Sequence, residues 1–217
     1  AAMVTDFSRK NIAPCLKYPF GTDWLGRNMF YRTLTGLSMS ILIGVLAAGV
    51  SAVMALILGI CAATLGKKVD SAISFAIDTV MGIPHILLLI LISYAMGKGL
   101  KGVIAGVALT HWKLGLGKWE IAKKHIVPHV LPQFIVGLVL LFPHAILHES
   151  SITFLGFGLS TEQPAIGVIL SESMRYLIMG KWWLAVFPGM MLVLTVVLFE
   201  KGGTALRQLL DPGSVHK

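Results

Sequence analysis

Long charge-free runs alternate along this chain with short polar or basic segments. Leu34 to Leu65 contains no Asp, Glu, Lys, Arg or His. A helix of roughly thirty residues is longer than the ~30 Å hydrocarbon core of a bilayer, so it spans with tilt or with an overhanging end. A second apolar run, Ile73–Met96, carries Asp78 near one end and Pro84 in its middle, where a kink is predicted. After a turn at Gly97–Lys101 comes GVIAGVALTHW, Gly102–Trp112. Its length, about eleven residues or ~16 Å of helix, is too short to cross. A fourth run extends from about Val130 to Phe157 and holds His144, His148 and Glu149. Gly158–Lys181 reads as a mixed loop, polar at STEQP and amphipathic at IGVILSESMRYLIM, and Trp182–Phe199 is the last span. The pattern predicts an all-α, polytopic transmembrane helix bundle with about five visible spans. Runs of this length exclude the strands of an outer-membrane barrel.

Composition agrees. The chain is 56% hydrophobic and 13% charged, about half the charged share of a soluble domain. The net charge of +8 does not point to nucleic acid, because the cations sit between apolar runs. Cys15 lies in a polar arm and Cys61 inside a span, with no C-x-x-C, so neither a disulfide framework nor a zinc site is supported. No phosphate-binding Gly-x-x-x-x-Gly-Lys-Ser/Thr, no H-E-x-x-H and no G-x-S-x-G occurs. The chain therefore reads as a non-enzyme that binds no cofactor of its own.

Residues 1–32 form a polar arm broken by Pro14, Pro19 and Gly21. Loop cations orient the rest. Lys67, Lys68, Lys113, Lys118, Lys123, Lys124, Lys201, Arg207 and Lys217 fall on one side, which is then cytoplasmic. Lys98, Lys101, Arg175 and Lys181 fall on the other. The arm lands outside with Arg9, Lys10, Lys17, Arg27 and Arg32, against the positive-inside rule. Gly102 and Gly106 make one G-x-x-x-G, which would allow a close helix contact, but glycine is common in spans and simple packing is the favoured reading.

The segment KLGLGKWEIAKKHIVPHVLP, Lys113–Pro132, is basic, amphipathic and closed by P-x-x-x-P. It suits a helix lying on anionic headgroups. It suits equally a docking helix, with Trp119 as an apolar anchor and a glycine turn admitting a partner backbone. Composition leaves both open.

Gly115-x-x-x-Trp119 followed by HIVPHVLP resembles the cytoplasmic coupling loop of ABC-importer permeases. GTDWLGR (Gly21–Arg27), SITFLGFG (Ser151–Gly158), FPG (Phe187–Gly189) and ALRQLLDP (Ala205–Pro212) resemble, in order and spacing, motifs of the dipeptide, oligopeptide and nickel permeases. Glu200 and Thr204 stand where that family usually has Asn and Asp. The resemblance implies a type I ABC importer permease in a prokaryotic inner membrane. Its divisions would be an extracytoplasmic arm (1–32), a permease domain (33–212) with its coupling loop at 113–129, and a cytoplasmic tail (213–217). It implies a second, homologous permease, two ATPase subunits that use the ATP, and an extracytoplasmic substrate-binding protein as partners, besides membrane lipid. Leu114, Gly115, Leu116, Gly117 and Trp119 would contact the ATPase. It also places one helix before Ala1 and the first, Glu-Ala-Ala half of the coupling loop between Trp112 and Lys113.

The cargo turns on histidines. His144 and His148 are four apart, so they share a helix face, and His85 beside Pro84 can approach the same path. Ionisable groups in a span usually face a cavity or a partner. They can equally be bonded between helices for packing. Imidazole suits nickel, and the H-x-x-x-H ahead of F-L-G-x-G resembles the nickel members. The expected cargo is therefore nickel or a nickel chelate, with His144 and His148 as transient metal ligands and His85 along the path. A di- or oligopeptide is the alternative.

The short third run yields a prediction. The full gene is expected to encode roughly thirty further residues between Trp112 and Lys113, enough to finish a span. Its sequence, or the intact mass of the protein, checks this, and a contiguous Trp112-Lys113 would refute it.

Overall fold

The computed structural model describes residues 4–111 and 126–210. These form helices α1 (Met29–Thr64), α2 (Lys67–Met81), α3 (His85–Ala95), α4 (Gly99–His111), α5 (Ile126–Phe154), α6 (Ile166–Leu177) and α7 (Trp183–Leu210), with a 3-10 turn at Phe7–Arg9 and no strand among the described residues. Asn28 starts α1 by accepting the Phe30 amide at 3.0 Å, an ordinary N-cap. Of the five apolar segments expected, α1, α5 and α7 are long and apolar enough to cross a membrane. α2 and α3 count as a fourth span only if taken together, and α4 is a shorter apolar helix.

Two elements differ from the expectation. The predicted kink at Pro84 is a break: α2 and α3 meet at 99°. Pro84 has no amide to continue a helix and drives Ile83 out of helical geometry, while Gly82 adds no stiffness. The stretch expected as a mixed loop contains α6, whose first turn (Ile166, Gly167, Val168, Ile169) is buried.

Close backbone contact sets the packing. In α4, a methyl group on Gly102 would lie 2.7 Å from the Ser93 carbonyl oxygen, and one on Gly106 would lie 3.3 Å from that of Leu89. The G-x-x-x-G is therefore the α3–α4 contact. Gly44 of α1 faces Phe142 and Ile146 of α5, and Gly36 faces Ile169 of α6. Ile43, Ala47, Leu141, Ala145 and Ile152 are buried in the same core. Hydroxyls satisfy backbone between helices, as Ser51 does by donating to Ala108 O at 3.1 Å and Ser93 to Phe157 O at 2.7 Å.

The Gly99 amide donates to Gly158 O at 3.0 Å. The α3–α4 turn, the loop after α5, α6 and the start of α7 therefore share one end with the arm. Lys67, Lys68, Lys201 and Arg207 lie towards the other end, as the charge pattern predicts.

The arm is folded on itself. Asp6 N–H donates to Leu25 O at 3.0 Å, Thr22 N–H to Ile12 O at 3.0 Å, and Met29 N–H to Gly21 O at 3.1 Å. Both glycines of GTDWLGR have positive φ, +70° at Gly21 and +74° at Gly26. A methyl group on Gly26 would sit 1.8 Å from Asp6 O, so only glycine fits. The fully buried Asp23 carboxylate accepts the Leu25 and Arg27 amides at 2.9 Å each, Arg27 Nε at 2.7 Å and Arg32 Nη1 at 3.2 Å. Arg32 also pairs with Glu172 of α6, and Arg9 pairs with Asp6. These pairs account for much of the cationic charge that the positive-inside rule opposes on this side.

Two glycines test this packing. Gly102→Ala is expected to lower the unfolding temperature in detergent, because the Ser93 backbone must give way. Gly49→Ala in α1, with nothing within 4 Å, is expected to gain about 0.5–1 kcal/mol from helix propensity. Equal thermal shifts for the two would contradict the contact.

Candidate functional site

The break before α3 places His85 at the start of that helix, against α5. Its ring and that of His148 are 4.5 Å apart between centroids, in an edge-to-face arrangement at 67°. Both residues are half-buried, whereas His144, one turn earlier on α5, is exposed. Two of the three expected path residues thus meet, His85 and His148 across helices, while His144 lies one turn away on α5. Among the described residues, no group of three or more His, Cys, Asp or Glu side chains is placed to hold a metal ion.

Next to His148, Glu149 carries a fully buried carboxylate. It accepts from Ser150 Oγ at 3.2 Å and from Thr153 Oγ1 at 3.1 Å, and the Ser40 side chain of α1 hydrogen-bonds to it. Two of these hydroxyls also receive backbone amides: Ile166 N–H donates to Ser40 Oγ at 3.2 Å, and Leu159 N–H to Thr153 Oγ1 at 3.3 Å. One carboxylate therefore ties α1, α5, the loop after α5 and the first residue of α6. A buried carboxyl group requires such partners, since leaving it without them would cost several kcal/mol. Gly167 sits so close that a methyl group there would be 2.5 Å from Ser150 O.

Sequence reasoning named Glu149 without this role. The spacing Glu149, Ser150, Thr153 held a signal, since residues i and i+4 on a helix are neighbours. Ser40 gave none, being one hydroxyl in a charge-free span. Asp23, Arg32 and Glu172 were also missed as a cluster, although the first lies in the quoted GTDWLGR. Leu114, Gly115, Leu116, Gly117 and Trp119 lie outside the described residues.

A family model for the binding-protein-dependent transport system inner membrane component matches residues 113–214. The dipeptide transport system permease protein DppC of Bacillus subtilis (strain 168) is 30% identical, over 94% of this chain and 72% of that protein. That alignment runs over 229 positions, more than the 217 residues of this chain, so it opens gaps here. The oligopeptide permease OppC of the same organism is 29% identical, over 95% of this chain and 77% of that protein. Among solved structures, the MetNI methionine ABC transporter in an inward-facing conformation superposes with a TM-score of 0.65 at 14% identity, covering 84% of this chain and 98% of that one. The fold is that of type I ABC importer permeases. With its apolar spans, its bundle fold and these relatives, the chain belongs to the family of binding-protein-dependent transport system inner membrane components: it is a multi-pass inner-membrane permease subunit of the ABC-importer class.

Proposed function

We propose that this chain forms, with a second homologous permease, the path of an ATP-driven importer of di- or oligopeptides. The observation that carries the reading is the 30% identity to a dipeptide permease over 94% of the chain. An extracytoplasmic binding protein delivers the peptide, and two ATPase subunits dock on the coupling loop at 113–129 and use the ATP. The amphipathic segment after Gly115 acts as a rigid lever between two bodies that each have two states. Leu114, Gly115, Leu116, Gly117 and Trp119 are the contact. Further residues between Trp112 and Lys113 would complete the first half of that loop, as the short apolar run Gly102–Trp112 suggests.

Nickel, or a nickel chelate, is the second reading, and the His85–His148 contact is what favours it. His144 and His148 would then be transient ligands, as a transported ion needs weak contacts with open positions. Against it stand the peptide-permease relatives.

Two experiments decide. First, uptake of a radiolabelled dipeptide and of radio-nickel is measured with the complete transporter, normalised to assembled complex. Dipeptide uptake without nickel uptake is expected. In His148→Ala, peptide uptake per complex should fall by about threefold to tenfold, the effect of losing roughly one cargo hydrogen bond. Nickel uptake that is lost in both His144→Ala and His148→Ala, with peptide uptake absent throughout, would put the metal reading first. Second, Gly115→Asp should abolish uptake while the subunit still reaches the membrane, with the ATPase released on detergent purification. Normal uptake in that variant would rule out the coupling role.

A further inference from the structure

We propose that Arg32, Asp23 and Glu172 position α6, and through α6 the buried Glu149 centre beside the histidine-lined path; the functional part of this rests on the importer reading above. None of these three residues touches the path. They act through a helix that is held at both ends.

The arm supplies the fixed half. Asp23 is fully buried and holds Arg32 by one nitrogen at 3.2 Å while Arg27 and two backbone amides fill its other lone pairs. Arg32, itself buried, is left with its second nitrogen aimed at Glu172. A guanidinium held in this way offers its remaining donors in a fixed fork, which a lysine would not. Trp24 stacks on Tyr176 at 4.5 Å and 5°, and Arg27 and Arg32 lie over the Trp24 ring at 5.6 and 5.2 Å. The outer half of α6 is thus gripped by charge and by an aromatic face, although Met174, Arg175 and Leu177 around the grip are exposed.

The inner half of α6 is seated without slack. Ile166 N–H donates to Ser40 Oγ, which also bonds to Glu149. Gly167 is pressed on Ser150 O, and Gly36 of α1 is pressed on Ile169. Ser173 holds the middle by donating to Leu184 O of α7 at 2.8 Å. A twelve-residue helix is stiff over its ~18 Å length. Glu172 lies six residues, about 9 Å, from Ile166, so a small rotation of the helix there shifts the Ile166 amide relative to Ser40. The GTDWLGR motif, read from sequence only as a mark of resemblance, is the base of this grip.

The assembled transporter in lipid nanodiscs provides the test, by hydrogen exchange of the Ile166 amide together with dipeptide uptake per complex. Glu172→Ala is expected to speed exchange at Ile166 about tenfold, the equivalent of one hydrogen bond released. Uptake per complex should fall about threefold or more. Glu172→Asp should restore both in large part, and Glu172→Gln replaces the alanine variant if that one fails to assemble. A purely local role predicts faster exchange only beyond Ser171, and that result overturns the proposal. So does faster exchange at Ile166 with unchanged uptake. The exchange reading does not depend on the cargo, so absence of dipeptide uptake in the unmodified transporter would count against the peptide reading and leave the positioning claim to be judged on exchange.

Discussion

Glu149 carries a carboxylate into an apolar bundle, and three hydroxyls answer it. Much of the described architecture depends on that requirement. A buried carboxylate cannot borrow water, so its partners must come from whatever elements pass nearby. Here they come from α1 and α5, and two of the hydroxyls hand the constraint on to backbone amides of α6 and of the loop after α5. Apolar packing alone would let these helices slide past one another at small cost, because lipid tails are as apolar as the core. Hydrogen bonds of fixed direction remove that freedom. The glycines at the same contacts complete the effect by bringing backbones within reach.

The arm's end of the bundle repeats this logic with full charges. Asp23 has four donors around it, whereas Glu172 projects from α6 to a single guanidinium. Replacing Glu172 by an apolar residue leaves Arg32 paired with Asp23 alone, whereas replacing Asp23 removes an acid that two arginines share. The two centres lie at opposite halves of α6, so a short helix that looks peripheral in the chain joins the polar interior to the folded arm.

Much of this was legible before any coordinates. Apolar length marked α1, α5 and α7, because length follows from a local rule, whereas the G-x-x-x-G read as simple packing and its α3 partner shows only in the fold. Pro84 marked where the second run would yield but not by how much, since the bend angle depends on what α3 packs against. The α6 helix was hidden by its length and by its polar flank at STEQP. The histidine contact was half legible: His144 and His148 share a face by periodicity, while His85 reaches His148 only through the tertiary fold. The Asp23–Arg32–Glu172 cluster was not legible at all, since Arg32 and Glu172 are 140 residues apart in the chain and no periodicity links them.

The length of α1 has a consequence for the membrane around it. The apolar stretch Leu34–Leu65 lies almost wholly within one helix, Met29–Thr64, and amounts to about 48 Å of rise. A hydrocarbon slab of about 30 Å is filled by about 39 Å of helix even at a tilt of about 40°, the upper end of what helices show. About six residues therefore remain beyond the acyl chains, among headgroups. Thinning the bilayer strands more of the helix and thickening it strands less, so hydrophobic mismatch makes the seating of this subunit depend on the lipid that surrounds it.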